Sequence, residues 1–145
     1  MDYNTYLALD ELLALQRAQS KPEQPDELLF IVVHQASELW FKVILRELEN
    51  LFAQLEAGDV TLAIFATKRI NTIVRIVADQ LSALDTLPPQ RFARLRSHLG
   101  TSSGSQSVQF RAIEAASGLR EAAFLKAIAE HGEPAAAIRA WLGRP

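Results

Sequence analysis

From Asp26 to Ala57 the chain reads Asp-Glu-Leu-Leu-Phe-Ile-Val-Val-His-Gln-Ala-Ser-Glu-Leu-Trp-Phe-Lys and then runs on as an amphipathic tail, with no proline or glycine to interrupt it. Only a helix accommodates so long an unbroken run, because strands are short. Pro25 precedes it, Asp26 and Glu27 place negative charge at the expected N-terminus, and Gly58 marks the end. A helix of about 30 residues at 1.5 Å per residue is roughly 45 Å long, well beyond the usual length. It is apolar nearly all round, and such helices are buried. Glu27, His34, Gln35, Ser37 and Glu38 interrupt that apolar surface. At the helical period Glu27, His34, Glu38, Phe41 and Leu45 share one narrow arc. A histidine and a carboxylate one turn apart on a buried helix need partners or a ligand.

The remaining chain organises itself around this helix of residues 26–57. Residues 1–20 form an N-terminal arm, in which Tyr6, Leu9, Leu12, Leu13 and Gln16 predict a helix over 4–19, capped by Asn4 or Thr5. The two prolines of Ser20 to Pro25 make that stretch a linker. A second long helix is expected over 59–86, with Asp59 as its cap and an apolar stripe from Leu62 to Leu84. A short connection between two long helices implies an antiparallel hairpin. Residues 88–142 predict short helices. One starts at the Pro88-Pro89 pair, one spans Gln106 to Ser117, one Arg120 to Glu130 and one Pro134 to Leu142, with a small polar loop from Gly100 to Ser107. No alternation of period two appears. The expected fold is a single all-α domain over 1–145, a helical bundle of two long antiparallel helices and several short ones.

A chain of 145 residues, 49% hydrophobic and 22% charged, suffices for a globular core. The net charge of −2 lacks the basic footprint of a nucleic-acid binder. The absence of cysteine excludes disulfides, thiolate ligation of a metal and cysteine nucleophiles, and fits the cytoplasm. No basic n-region followed by an apolar stretch is apparent at the N-terminus. Charges interrupt the apolar runs, so no membrane span is expected.

Three segments carry a family resemblance. Phe30-Ile-Val-Val-His34-Gln-Ala-Ser-Glu38-Leu-Trp40-Phe-Lys42 resembles the signature helix of tryptophan 2,3-dioxygenase, a haem enzyme. Tyr3-Asn-Thr-Tyr6-Leu-Ala-Leu-Asp10 resembles that family's N-terminal arm, and Leu99 to Glu114 resembles its loop and following helix. The resemblance covers about the first half of a family member. The second half, which carries the histidine that binds the haem iron, has no visible counterpart.

The resemblance implies an all-α fold, haem b as cofactor, and L-tryptophan or a related indole with O2 as substrates. It also implies a homo-oligomer and a place in tryptophan catabolism by the kynurenine pathway, the indole C2–C3 bond being cleaved to give N-formylkynurenine. It assigns His34 to the substrate's indole N–H, which a neutral imidazole can accept. It assigns Arg111 to the substrate carboxylate, for which a guanidinium fork is suited. Phe30 and Phe110 are candidates for an aromatic pocket, Ser103 and Gly104 for loop donors. Tyr3 and Tyr6 would close the active site of a neighbouring subunit. Glu38 is read as a structural partner. Ser105 stands where the family usually carries an aromatic residue. The iron ligand stays open among His98, His131, His34 and a residue supplied in trans. A second reading is a truncated, haem-free relative serving as an oligomeric binding or scaffold protein.

Overall fold

The computed structural model describes residues 1–121, Phe124, Lys126 and 135–143, and these contain helices and no strand. Two one-turn helices, α1 (Tyr3–Leu7) and α2 (Leu9–Leu13), open the chain. The long helices α3 (Glu27–Glu56) and α4 (Val60–Leu81) follow, and a 3-10 turn continues α4 through Ser82–Thr86. Then come α5 (Pro89–His98), a 3-10 turn at Gly104–Gln106, α6 (Val108–Ala116) and α7 (Ala135–Leu142). The helix expected over Arg120–Glu130 falls mostly, and His131 wholly, outside the described residues.

The helix ends have local causes. Gly58 takes φ +75°, a left-handed turn that releases α3. The Asp59 carboxylate then accepts from the Leu62 amide at 2.9 Å and starts α4. Pro89 occupies the first turn of α5, where a missing N–H costs nothing. Glu47 on α3 pairs with Arg69 on α4 at 2.7 Å, and Ser37 with Gln80 at 2.7 Å. One number falls as the other rises, so the two helices run antiparallel.

The core forms where α3, α4, α6 and α7 meet. Ile44 and Leu48 face Ile73 and Val77 across the hairpin, and Ala112 and Ala115 bring α6 in closely. Phe124, Ile138 and Trp141 complete the cluster, with Trp141 against Phe52 at 5.9 Å between ring centroids.

Two expectations are modified. The helix over 4–19 is two separate turns, because Ala8 sits at φ +50° between them and Asp2, not Asn4 or Thr5, caps the first. Beyond Leu13 the chain is held by partners on α3. Gln16 donates to Gln35 at 2.5 Å, and the amides of Gln19 and Ser20 turn to Glu27. Glu38 and Lys42 also interrupt α3 less than expected: an 18-residue stretch of it keeps a mean hydropathy of 1.6, apolar enough by length and composition to cross a membrane. A core helix passes the same test, and one row of α3 (Val33, Ser37, Ile44 and Leu48) is buried within this chain.

Candidate functional site

A cavity of about 790 Å³ opens between the first half of α3, the 3-10 turn after α4, the start and middle of α5, and the 102–107 loop. Its apolar wall is Phe30, Leu84, Leu87 and Phe92, and its polar wall includes His34, Glu38, Arg96, Ser102, Ser103 and Gln106. That size and mixture suit a small organic molecule with one aromatic part and one charged end.

The α3 wall is rigid for reasons that begin at its N-terminus. Glu27 is 1% exposed and accepts from the Gln19 amide at 2.7 Å, the Ser20 amide at 3.1 Å and the Ser20 hydroxyl. Burial alone raises this carboxyl; the hydrogen bonds from Ser20 and Gln19, with a nearby positive field from His98, outweigh it and hold Glu27 below its ordinary value. Asp26 adds an ion pair to Arg91 of α5 at 3.6 Å. About two turns later the His34 Nδ1 lies 2.7 Å from the Phe30 carbonyl. A carbonyl can only accept, so Nδ1 carries a proton, and in the neutral form of the ring Nε2 is the acceptor. The Phe30 ring lies against the imidazole at 4.1 Å between centroids, which fixes its plane.

Glu38 closes the far end. Gln109 Nε2 donates both to the Glu38 carboxylate at 2.8 Å and to its backbone carbonyl at 2.9 Å, clamping α6 to α3. This is the structural partnership expected of Glu38. The loop wall is held by Arg96, whose Nη1 donates to the Ser102 carbonyl at 2.6 Å, and by a capping box between Ser103 and Gln106.

Of the residues singled out in the sequence, His34, Phe30, Ser103 and Gly104 converge on this cavity. Arg111 does not line it. Its guanidinium pairs with Glu114 at 2.6 Å, donates to the Ser105 carbonyl at 3.2 Å and lies 5.3 Å from the Phe110 ring. Phe110 is 36% exposed and packs tilted against Phe41, with 5.5 Å between ring centroids. Tyr3 and Tyr6 are 72% and 74% exposed and away from the wall. His98 is exposed, with Nδ1 2.9 Å from the Arg94 carbonyl, and it too lies off the wall. His131 lies outside the described residues.

The sequence reading passed over Arg96 and Phe92. Their signal was present: they are four residues apart on a proline-started helix that feeds straight into the polar loop, so they share a face. The wall suits the substrate side of a haem, with aromatic and aliphatic surface beside a guanidinium and loop hydroxyls. The described residues contain no group of three or more His, Asp or Glu side chains that could hold a metal ion, and the one histidine on the wall is His34.

Comparison with known proteins gives the same direction. The family profile of tryptophan 2,3-dioxygenase matches residues 1–133. The tryptophan 2,3-dioxygenases of Kineococcus radiotolerans and Anaeromyxobacter sp. (strain K) are 44% and 43% identical to this chain over all 145 residues. That of Caulobacter vibrioides is 43% identical over the same length. The match takes in 51%, 54% and 54% of those three proteins, so the chain spans about half the length of the curated relatives it matches. A fold of long antiparallel helices, a histidine set on the signature helix and whole-chain identity together make this chain a member of the tryptophan 2,3-dioxygenase family.

Proposed function

We propose that this chain supplies the substrate-side wall of a haem-dependent dioxygenase acting on L-tryptophan or a related indole. The observation that carries the reading is the placement of His34 and Arg96 on one cavity, with Phe30 and Phe92 beside them. His34 Nε2 accepts the indole N–H, and the bond from Nδ1 to the Phe30 carbonyl keeps the ring in the tautomer that can do so. Arg96 takes the substrate carboxylate. One of its nitrogens is held by the Ser102 carbonyl, and this leaves the rest of the fork to the ligand. Haem b, when bound, supplies the activation of O2 for oxidative cleavage of the indole C2–C3 bond. The protein orients the substrate and excludes water from it.

In this reading the iron ligand comes from the part of the family fold outside the described residues. Tyr3 and Tyr6, which do not reach their own cavity, serve a neighbouring copy in a homo-oligomer. Arg96 also takes the role that the resemblance gave to Arg111, since Arg111 is already engaged by Glu114. The cysteine-free composition suits a cytoplasmic enzyme of tryptophan catabolism.

Calorimetric titration with L-tryptophan and with tryptamine, which lacks the carboxylate, tests this. Loss of a charge-assisted contact costs about 1.5–3 kcal/mol, roughly 10- to 150-fold in affinity. L-Tryptophan binds tighter than tryptamine by that factor, Arg96→Lys removes the preference, and Arg111→Lys retains it. A wild-type chain that binds neither ligand, or both equally, refutes the reading and leaves the haem-free scaffold.

A further inference from the structure

We propose that Ser107 is a specificity-determining residue of the cavity, its hydroxyl donating to the ligand carboxylate beside Arg96. The inference rests on the reading of this cavity as an amino-acid site, and it adds the donor that completes the anion end.

Ser102, Ser103 and Ser107 all line the cavity, and their hydrogen bonds separate them. A hydroxyl has one proton and two acceptor positions. The Ser103 oxygen accepts from the Ser105 amide at 3.3 Å and, in the capping box, from the Gln106 amide. Both acceptor positions are then filled, so in its 2.9 Å contact with the Ser105 hydroxyl it is Ser103 that donates. Ser105 does not line the cavity. The Ser103 proton is therefore taken up within the loop, although its place beside Gly104 marked it as a loop donor.

Ser107 is arranged in the opposite way. It is the N-cap of α6, and its oxygen accepts from the Phe110 amide at 3.0 Å. That bond fixes the oxygen against the first turn of the helix. Its proton has no acceptor among the described residues. Ser107 is also partly buried, and a hydroxyl withdrawn from water with its proton unpaired favours a ligand that accepts. Ser102 is exposed, and its hydroxyl makes no hydrogen bond among the described residues, so nothing orients it. Of the three, Ser107 alone combines a fixed oxygen with a free proton on the wall.

The surroundings select an anion. A hydroxyl that accepts from an N–H group is the stronger donor for it. Arg96 holds the Ser102 carbonyl at 2.6 Å, before the 3-10 turn Gly104–Gln106, and Ser107 follows that turn and closes it, its amide donating to the Gly104 carbonyl at 3.1 Å. Guanidinium and hydroxyl thus flank one tight turn. A carboxylate has two oxygens and can accept a guanidinium fork and a hydroxyl together. An ammonium placed there would meet two positive fields, Arg96 and the first turn of α6.

Calorimetric titration with L-tryptophan, tryptamine and indole-3-propionate, which keeps the carboxylate and lacks the amine, tests this. Ser107→Ala lowers the preference for L-tryptophan over tryptamine by roughly tenfold and weakens indole-3-propionate as much as L-tryptophan. Ser107→Thr keeps the wild-type preference. Ser107→Asp does not, because it still caps α6 but has no proton to give at neutral pH. These two variants separate the donor from the cap. Ser103→Ala lowers the preference less than Ser107→Ala. The proposal is overturned if Ser107→Ala or Ser107→Asp keeps the wild-type preference, if Ser107→Thr loses it, or if Ser103→Ala loses more than Ser107→Ala. It is also overturned if Ser107→Ala weakens tryptamine and spares indole-3-propionate, the result expected of an ammonium acceptor. If Arg96→Lys removes the preference and Ser107→Ala does not, the cavity still seats an amino acid and only the role of Ser107 falls. A wild-type chain with no preference overturns both.

Discussion

Replacing Glu27 by glutamine is expected to loosen the base of the cavity's α3 wall. The carboxylate is 1% exposed and accepts three hydrogen bonds, from two backbone amides and the Ser20 hydroxyl, and that hydroxyl in turn accepts from the Gln24 amide at 2.8 Å. An amide keeps one acceptor oxygen and turns an N–H2 group toward a donor. At least one buried donor is then unsatisfied, and a charge-assisted bond becomes neutral. Each such loss costs about 1–3 kcal/mol, so the variant loses about 3 kcal/mol at neutral pH. For 145 residues the unfolding entropy is about 0.3 kcal/mol per kelvin, which converts this loss to a Tm lowered by about 10 °C.

The same geometry fixes the pH dependence. The folded Glu27 carboxyl is held below its ordinary value of 4.5. Its stabilisation is therefore fully present above pH 4.5 and is lost as the pH falls through the folded value. Thermal unfolding of wild type and Glu27→Gln, followed by circular dichroism at pH 7 and again at successively lower pH below 4.5, should show the gap in Tm closing as the solution is acidified. A gap below about 2 °C at pH 7, or one that does not close in acid, refutes the account of this knot.

Two other perturbations follow from the packing. Gln109→Met removes the donor that bridges the Glu38 carboxylate and carbonyl, so chemical denaturation should show a loss of about 1–2 kcal/mol. Gly58→Ala places a β-carbon at φ +75° with open space around it, so strain alone should cost about 1 kcal/mol in the same assay.

The long hairpin was legible because its signals are local. Pro25, Gly58 and Asp59 bound α3 and α4 with residues whose chemistry acts within one turn. His34 was legible for a related reason, since a polar ring on an apolar helix demands an explanation. The arm was misread as one helix because its partners lie outside it: Gln16 answers to Gln35, 19 residues on, and Ser20 answers to Glu27 across the proline linker. The two arginines near the polar loop show the limit most clearly. Both Arg96 and Arg111 stand within a turn or two of it, one before and one after. Which of them faces the cavity depends on how the loop turns, a tertiary matter. A local clue existed even so, because Glu114 three residues beyond Arg111 is placed to pair with it on one helix face.

The most direct measurement is nitrogen-15 NMR of the histidine side chains with and without L-tryptophan. His34 should show a protonated Nδ1 and an unprotonated Nε2, and added L-tryptophan should shift Nε2 of His34 as it accepts the indole N–H, leaving His98 unchanged. A His34 protonated on Nε2, or one whose Nε2 signal ignores the ligand, contradicts the claim that this cavity seats an indole against His34.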